Sequence, residues 1–180
     1  MKPIRELRTT ILKWRELEEG RMNYELSGTE GSIATLRYDD PRALGESGMV
    51  AETSDGIYSL SSQSGLFRSR REMRRLDTSL KKIGEMRAGS RRSTWEVRIE
   101  GAEDLILRRL KEGRNLGLFR GDEKLVIFRP EGAISLRGGT VEIQVPARFE
   151  HWLLQAILIC WYSVLMEYLT AQGILLGGLS

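Results

Sequence analysis

Histidine and cysteine are nearly missing from this 180-residue sequence, with His151 and Cys160 the sole examples. One cysteine excludes an intrachain disulfide framework, and one histidine excludes zinc-finger and histidine-rich metal patterns. Proline is also scarce, at four residues, and the 19 glycines are scattered. No Pro/Gly/Ser linker divides the chain, so a single domain is expected. The first 21 residues carry charges throughout instead of an apolar signal region, which makes a cytoplasmic location the expectation. No GxGxxG or GxxxxGK[ST] loop is present, which argues against the common nucleotide-cofactor designs, and no cofactor is expected.

Hydrophobic residues make up 41% of the sequence and charged residues 29%, a balance that supports a packed core. The net charge of +3 hides an uneven distribution: residues 68–92 hold ten basic and three acidic side chains. Within that run, Arg68, Arg70, Arg71, Arg74, Arg75, Lys81 and Lys82 form the candidate binding surface. Its partner would be an anionic phospholipid headgroup or an acidic protein. No aromatic side chain occurs over residues 69–94, so bases would find no stacking platform and nucleic acid is disfavoured.

Pro3 followed by Ile4, Leu7, Ile11 and Trp14 at helical spacing predicts an amphipathic helix over residues 3–19, capped by Gly20 and packed on a domain beginning at Met22. From Met22 to Ile143 the period changes to short β-branched or apolar runs. NYELSG, SIATLRY, GMVAE, GIYSLS, GLFRS, STWEVRIE, DLILRRL, NLGLFR, KLVIFR, AISLR and TVEIQV are separated by small or acidic turn residues. Asp55 with Gly56, Gly121 with Asp122 and Gly138 with Gly139 read as hairpin turns. The gaps are too short for crossover helices, so the strands should form an antiparallel meander of ten to twelve. Closure into a barrel would remove its edges.

Pro146 marks a boundary, after which FEHWLLQAILICWYSVLMEYLTAQG reads as a helix over about 149–171. Leu154, Leu158 and Met166 occupy azimuths that an amphipathic helix would leave polar, so this helix must be enclosed in protein or lie in lipid. Gln155, Glu167 and Gln172 interrupt the apolar stretch and make transmembrane insertion the weaker of the two readings. A mainly β fold follows: a closed antiparallel barrel of about twelve strands enclosing a hydrophobic C-terminal helix, with an N-terminal amphipathic helix outside it.

This order of elements, over residues 22–172, resembles the tubby C-terminal-like superfamily, including its LURP-one-related and phospholipid-scramblase-like branches. The resemblance rests on the meander and on FEHWLLQAILICWYSVLMEYL. It implies a twelve-stranded barrel around a C-terminal helix and recognition of phosphoinositides or lipid surfaces by cationic residues.

Catalytic arrangements are not legible. His151 and Cys160 stand nine positions apart, about 13.5 Å along a helix axis and too far for a direct pair. Glu18 with Glu19, Asp39 with Asp40, Glu103 with Asp104 and Asp122 with Glu123 are adjacent pairs, which on a strand point to opposite faces. The expected function is therefore a non-enzymatic binding or scaffold domain that recognises a protein or an anionic phospholipid headgroup through its basic surface. An enzyme with a loop pocket and a protein anchored by its C-terminal segment are the alternatives.

Overall fold

A computed structural model describes residues 1–18, 21–39, 48–64, 69–77, 80–90, 93–111, 113–132, 137–144 and 150–171. Gly20, Arg68, residues 65–68 and 133–136 of two expected strands, Pro146 and Gln172 lie outside them. Twelve strands form one closed barrel in meander order, each paired antiparallel with its sequence neighbours. They are β1 (Ile11–Glu18), β2 (Asn23–Gly28), β3 (Gly31–Asp39), β4 (Gly48–Thr53), β5 (Gly56–Ser64), β6 (Ser69–Arg75), β7 (Lys82–Ala88), β8 (Thr94–Ile99), β9 (Ala102–Arg109), β10 (Leu116–Arg120), β11 (Glu123–Glu131) and β12 (Gly138–Ile143). One helix, α1 (Leu153–Ala171), follows β12.

The expected N-terminal helix is a strand. A short 3₁₀ turn at Ile4–Glu6 leads into β1, which closes the barrel by pairing with β2 on one side and β12 on the other. The sequence holds two overlapping periods here, and the wrong one is the longer. Leu12 and Trp14 are buried whereas Ile11 and Leu17 are 53% and 51% exposed, so burial follows an alternation of two through Ile11, Lys13 and Arg15. Propensity gives way to the demand for a partner on the open edges of β2 and β12.

Gly138 and Gly139 are also not a hairpin turn. They open β12, opposite Arg15 and Trp14 on β1 and opposite Glu131 and Pro130 on β11. A Cβ on Gly139 would lie 2.5 Å from the Arg129 carbonyl and 2.6 Å from the Trp161 ring. Glycine is required because Trp161 of α1 stacks there on Trp14 of β1, with ring centroids 5.6 Å apart and planes 8° from parallel.

The turns β2–β3, β4–β5, β6–β7, β8–β9 and β10–β11 share one rim of the barrel, here the first rim, and the intervening turns share the second. The start of α1 meets the first rim, where Gln155 reaches the Tyr58 hydroxyl at 3.5 Å and Glu150, just ahead of the helix, pairs with Arg120 at 3.1 Å. Its end meets the second, where Glu167 lies 3.9 Å from Arg109. Residues 156–166 of α1 are buried without interruption, and all but Ser163 belong to one apolar cluster with the buried faces of the strands. By length and composition α1 could also cross a membrane. Burying each of its Leu or Ile side chains stabilises the fold by about 1.5–3 kcal/mol.

Candidate basic surface and rim cavity

The basic run forms strands although few of its residues are apolar. Met73 and Met86 supply the buried positions on β6 and β7, and Gly84 opposite Met73 leaves room for Ile99. On the solvent face, Glu72 of β6 stands directly across from Glu85 of β7, a like-charge pairing that is destabilising by itself. Cations offset it. Arg70 contacts Glu72 at 2.8 Å and Glu85 at 2.6 Å, and Arg74 contacts Glu72 at 3.0 Å. Lys82 bonds Glu85 and lies 3.6 Å from Glu72; Arg87 holds the other oxygen of Glu85 at 3.0 Å, with Arg98 of β8 at 3.8 Å. Arg98 is shared with Glu96 at 3.7 Å. Five cations thus meet three carboxylates on one sheet face.

The long basic side chains lie over the two central carboxylates, whose side chains are only 5% and 7% exposed, while keeping their own heads in water. Burial pushes the Glu85 carboxyl up, but hydrogen bonds and charge from Lys82 and Arg70 outweigh it and pull it down to about 2. Glu72 is shifted the same way: burial opposes, and Arg74, Arg70 and Lys82 prevail. The carboxylates therefore fix the geometry of the cations at all but strongly acidic pH.

Of the seven basic residues singled out from the sequence, Arg68 lies outside the described residues. Arg70, Arg74 and Lys82 share this cluster. Arg71 points the other way: it is 5% exposed, on the same strand face as Met73. Burial lowers its pKa against the pull of Glu167 and Tyr162, and burial in turn raises that of Glu167. Arg75 and Lys81 stand at the first rim. Arg75 donates to Asp77 at 2.7 Å and to the Asp55 carbonyl at 2.7 Å, and lies 6.0 Å from the Tyr58 ring centre; Lys81 pairs with Glu100 at 2.6 Å. Arg87 and Arg98 were not singled out, although Glu85-Met-Arg87 and Glu96-Val-Arg98 both carry the alternation that puts them on the face of Glu85.

A cavity of about 320 Å³ opens at the first rim between Tyr58, Arg75, Glu100, His151, Trp152 and Gln155. Gly101 adopts φ +83° beneath it, and a Cβ there would meet the His151 ring at 2.6 Å, so the β8–β9 turn is cut to fit the approach to α1. Arg75 is already neutralised by Asp77, and Lys81 by Glu100, which leaves the cavity amphiphilic without a dominant charge. Cys160 is far from this chemistry: it is buried, and burial pushes its thiol pKa up, away from the reactive thiolate. Among the described residues, no group of three or more His, Cys, Asp or Glu side chains is placed to hold a metal ion.

Comparison with known proteins returns no matching family model, no matching curated protein and no matching solved structure.

Proposed function

We propose that this chain is a non-enzymatic binding domain whose β6–β8 face engages the anionic headgroups of a phospholipid surface. The observation that carries the reading is the arrangement of Arg70, Arg74, Lys82, Arg87 and Arg98 around buried carboxylates, with more cations than anions and the heads held outward. Beside them on β5, Ser59 and Gln63 face Arg74 and Arg70 in register and add uncharged hydrogen-bond donors suited to phosphate oxygens. A charged face on a rigid sheet needs no ordering when it binds, which lowers the cost of association.

In the same reading α1 runs through the barrel lumen and serves as its core. Its uninterrupted burial and its attachments at opposite rims support this. A helix used in that way leaves no apolar surface for a bilayer, so contact with lipid would be peripheral and the chain cytoplasmic. The strand number and the terminal helix also support kinship with the tubby C-terminal-like superfamily. A small-molecule pocket at the first rim is the second reading, carried by the cavity beside His151.

The test is flotation with phosphatidylcholine vesicles, with and without phosphatidylserine, over a salt series. Binding should require the anionic lipid and weaken as salt rises. A variant with Arg74→Gln, Arg87→Gln and Arg98→Gln keeps Arg70 and Lys82 on the two carboxylates, so it should fold and bind at least tenfold less tightly. Equal flotation of this variant would remove the basic face from the interaction. Saturable binding of a small molecule, lost on His151→Ala, would favour the cavity instead.

A further inference from the structure

Leu80 is the most exposed large hydrophobic side chain among the described residues, at 58%, and it sits at φ +53°. Left-handed backbone is unfavourable for a residue with a Cβ, and an exposed leucine gains no burial in return. Nothing inside the fold is served by leucine at this point.

Its surroundings identify what would be. The β6–β7 turn that carries it is pinned at its base: the Arg75 amide donates to the Lys81 carbonyl at 2.9 Å, the Leu76 amide donates to the Ile57 carbonyl at 2.8 Å, and the Arg75 guanidinium ties Asp77 to the Asp55 carbonyl. The Leu76 bond brings the turn beside Ile57, itself 40% exposed, on the same rim. Lys81 follows Leu80 directly, and Lys82 stands opposite Arg74 in register. The pair Lys81 with Glu100 is well exposed on both sides, so exchanging Glu100 for another anion costs little. Of the acids nearest this turn, Asp77 and Glu100 each face a cation, and the exposed Asp55 acts on the charge of Arg75.

We propose that Leu80 is a point of membrane insertion: with Ile57 beside it, it enters the acyl boundary of an anionic bilayer while Lys81, Lys82 and Arg74 contact lipid phosphates. The inference rests on the anionic-surface reading above and adds to it which part of the domain enters the membrane. One or two apolar side chains with Lys81, Lys82 and Arg74 beside them match a bilayer interface, which needs no shaped groove. They bury too little to hold a protein partner.

The experiment uses the full chain and vesicles of phosphatidylcholine and phosphatidylserine in a two-to-one ratio. Leu80→Gly removes the apolar side chain and relieves the backbone, so it should fold with a thermal midpoint near that of wild type and bind about tenfold less tightly. Its remaining binding should vanish at high salt, where wild type retains a fraction. Because Cys160 is buried, a Leu80→Cys variant accepts an environment-sensitive fluorophore at one place. That label should shift blue on vesicles and be quenched by lipids spin-labelled in the acyl chain. The same label on Leu17→Cys, at the second rim, should stay aqueous. Equal affinity of the Leu80→Gly variant, or a label at position 80 that stays in water, overturns insertion at Leu80 and leaves the basic face standing. Wild type that ignores these vesicles overturns both, as it would if the face met an acidic protein.

Discussion

Glu72 and Glu85 repay attention at the scale of single residues, because each is a carboxylate kept charged by neighbours that are themselves the candidate binding groups. Glu85→Gln keeps the shape of the side chain and removes the charge that Arg70, Lys82 and Arg87 share. We expect it to destabilise the fold by about 2–4 kcal/mol at pH 7, read from urea unfolding. The pH dependence has a definite sign. The folded-state pKa of about 2 lies below the ordinary value of 4.5, so the contribution of Glu85 is complete above about pH 4.5 and disappears as pH falls through about 2. Wild type and Glu85→Gln should therefore converge in stability across that window; a constant gap down to pH 2 would contradict the assignment. Cys160 offers a simpler check. Its buried thiol should stay inert to a disulfide reagent until the domain unfolds, and modification at the rate of a free thiol would mean that α1 is exposed.

Among the elements, α1 and β12 depend on each other. Gly139→Ala on β12 would push the new methyl into Trp161 and the Arg129 carbonyl, with an expected loss of about 2–3 kcal/mol and disturbance of the Trp14–Trp161 stack, visible in the near-ultraviolet circular dichroism. Ile157→Asp would place an isolated carboxylate at a fully buried position of α1 and should cost more than about 4 kcal/mol. Near-native stability of that variant would show that residue 157 can reach water. These elements also mark where reading from sequence succeeds. β2 to β5 and β8 to β12 follow from runs such as NYELSG and KLVIFR, because apolar alternation between turn residues is a local property. β6 and β7 were not among those runs: SRREMRR and KIGEMRA have methionine as their main buried anchor, and their charges are accommodated only by pairing across strands. β1 is not legible locally because its strand identity depends on the two open edges it joins, which are fixed by the fold and not by nearby residues. The candidate binding face is half legible for the same reason. A count of charge finds Arg70, Arg74 and Lys82, whereas Arg98 reaches the cluster only through the β7–β8 register, and the inward turn of Arg71 needs the strand phase.

Over the whole molecule, a net charge of +3 is modest, and what distinguishes one side is the placement of charge. The basic face of β6–β8 runs down to the first rim, where Lys81, Lys82 and Leu80 stand together, so docking would tilt the barrel toward that rim. Neutron reflectometry on a supported bilayer containing phosphatidylserine should find the protein density closest to the lipid at the first rim, and a barrel lying flat or touching through the second rim would contradict this orientation. The seam between β1 and β12 has a consequence in time. Ile11 pairs with Glu142, so during synthesis at about 5–20 residues per second, β1 waits roughly 7–26 s for its second partner to be made. Through that interval a nascent eleven-stranded ribbon leaves the ribosome with both outer edges open and its apolar face uncovered, because α1 is made later still. The protein is therefore obliged to finish its barrel only once β12 has been translated, and any chaperone it uses would have to shield the hydrogen-bonding edge of β1 until then.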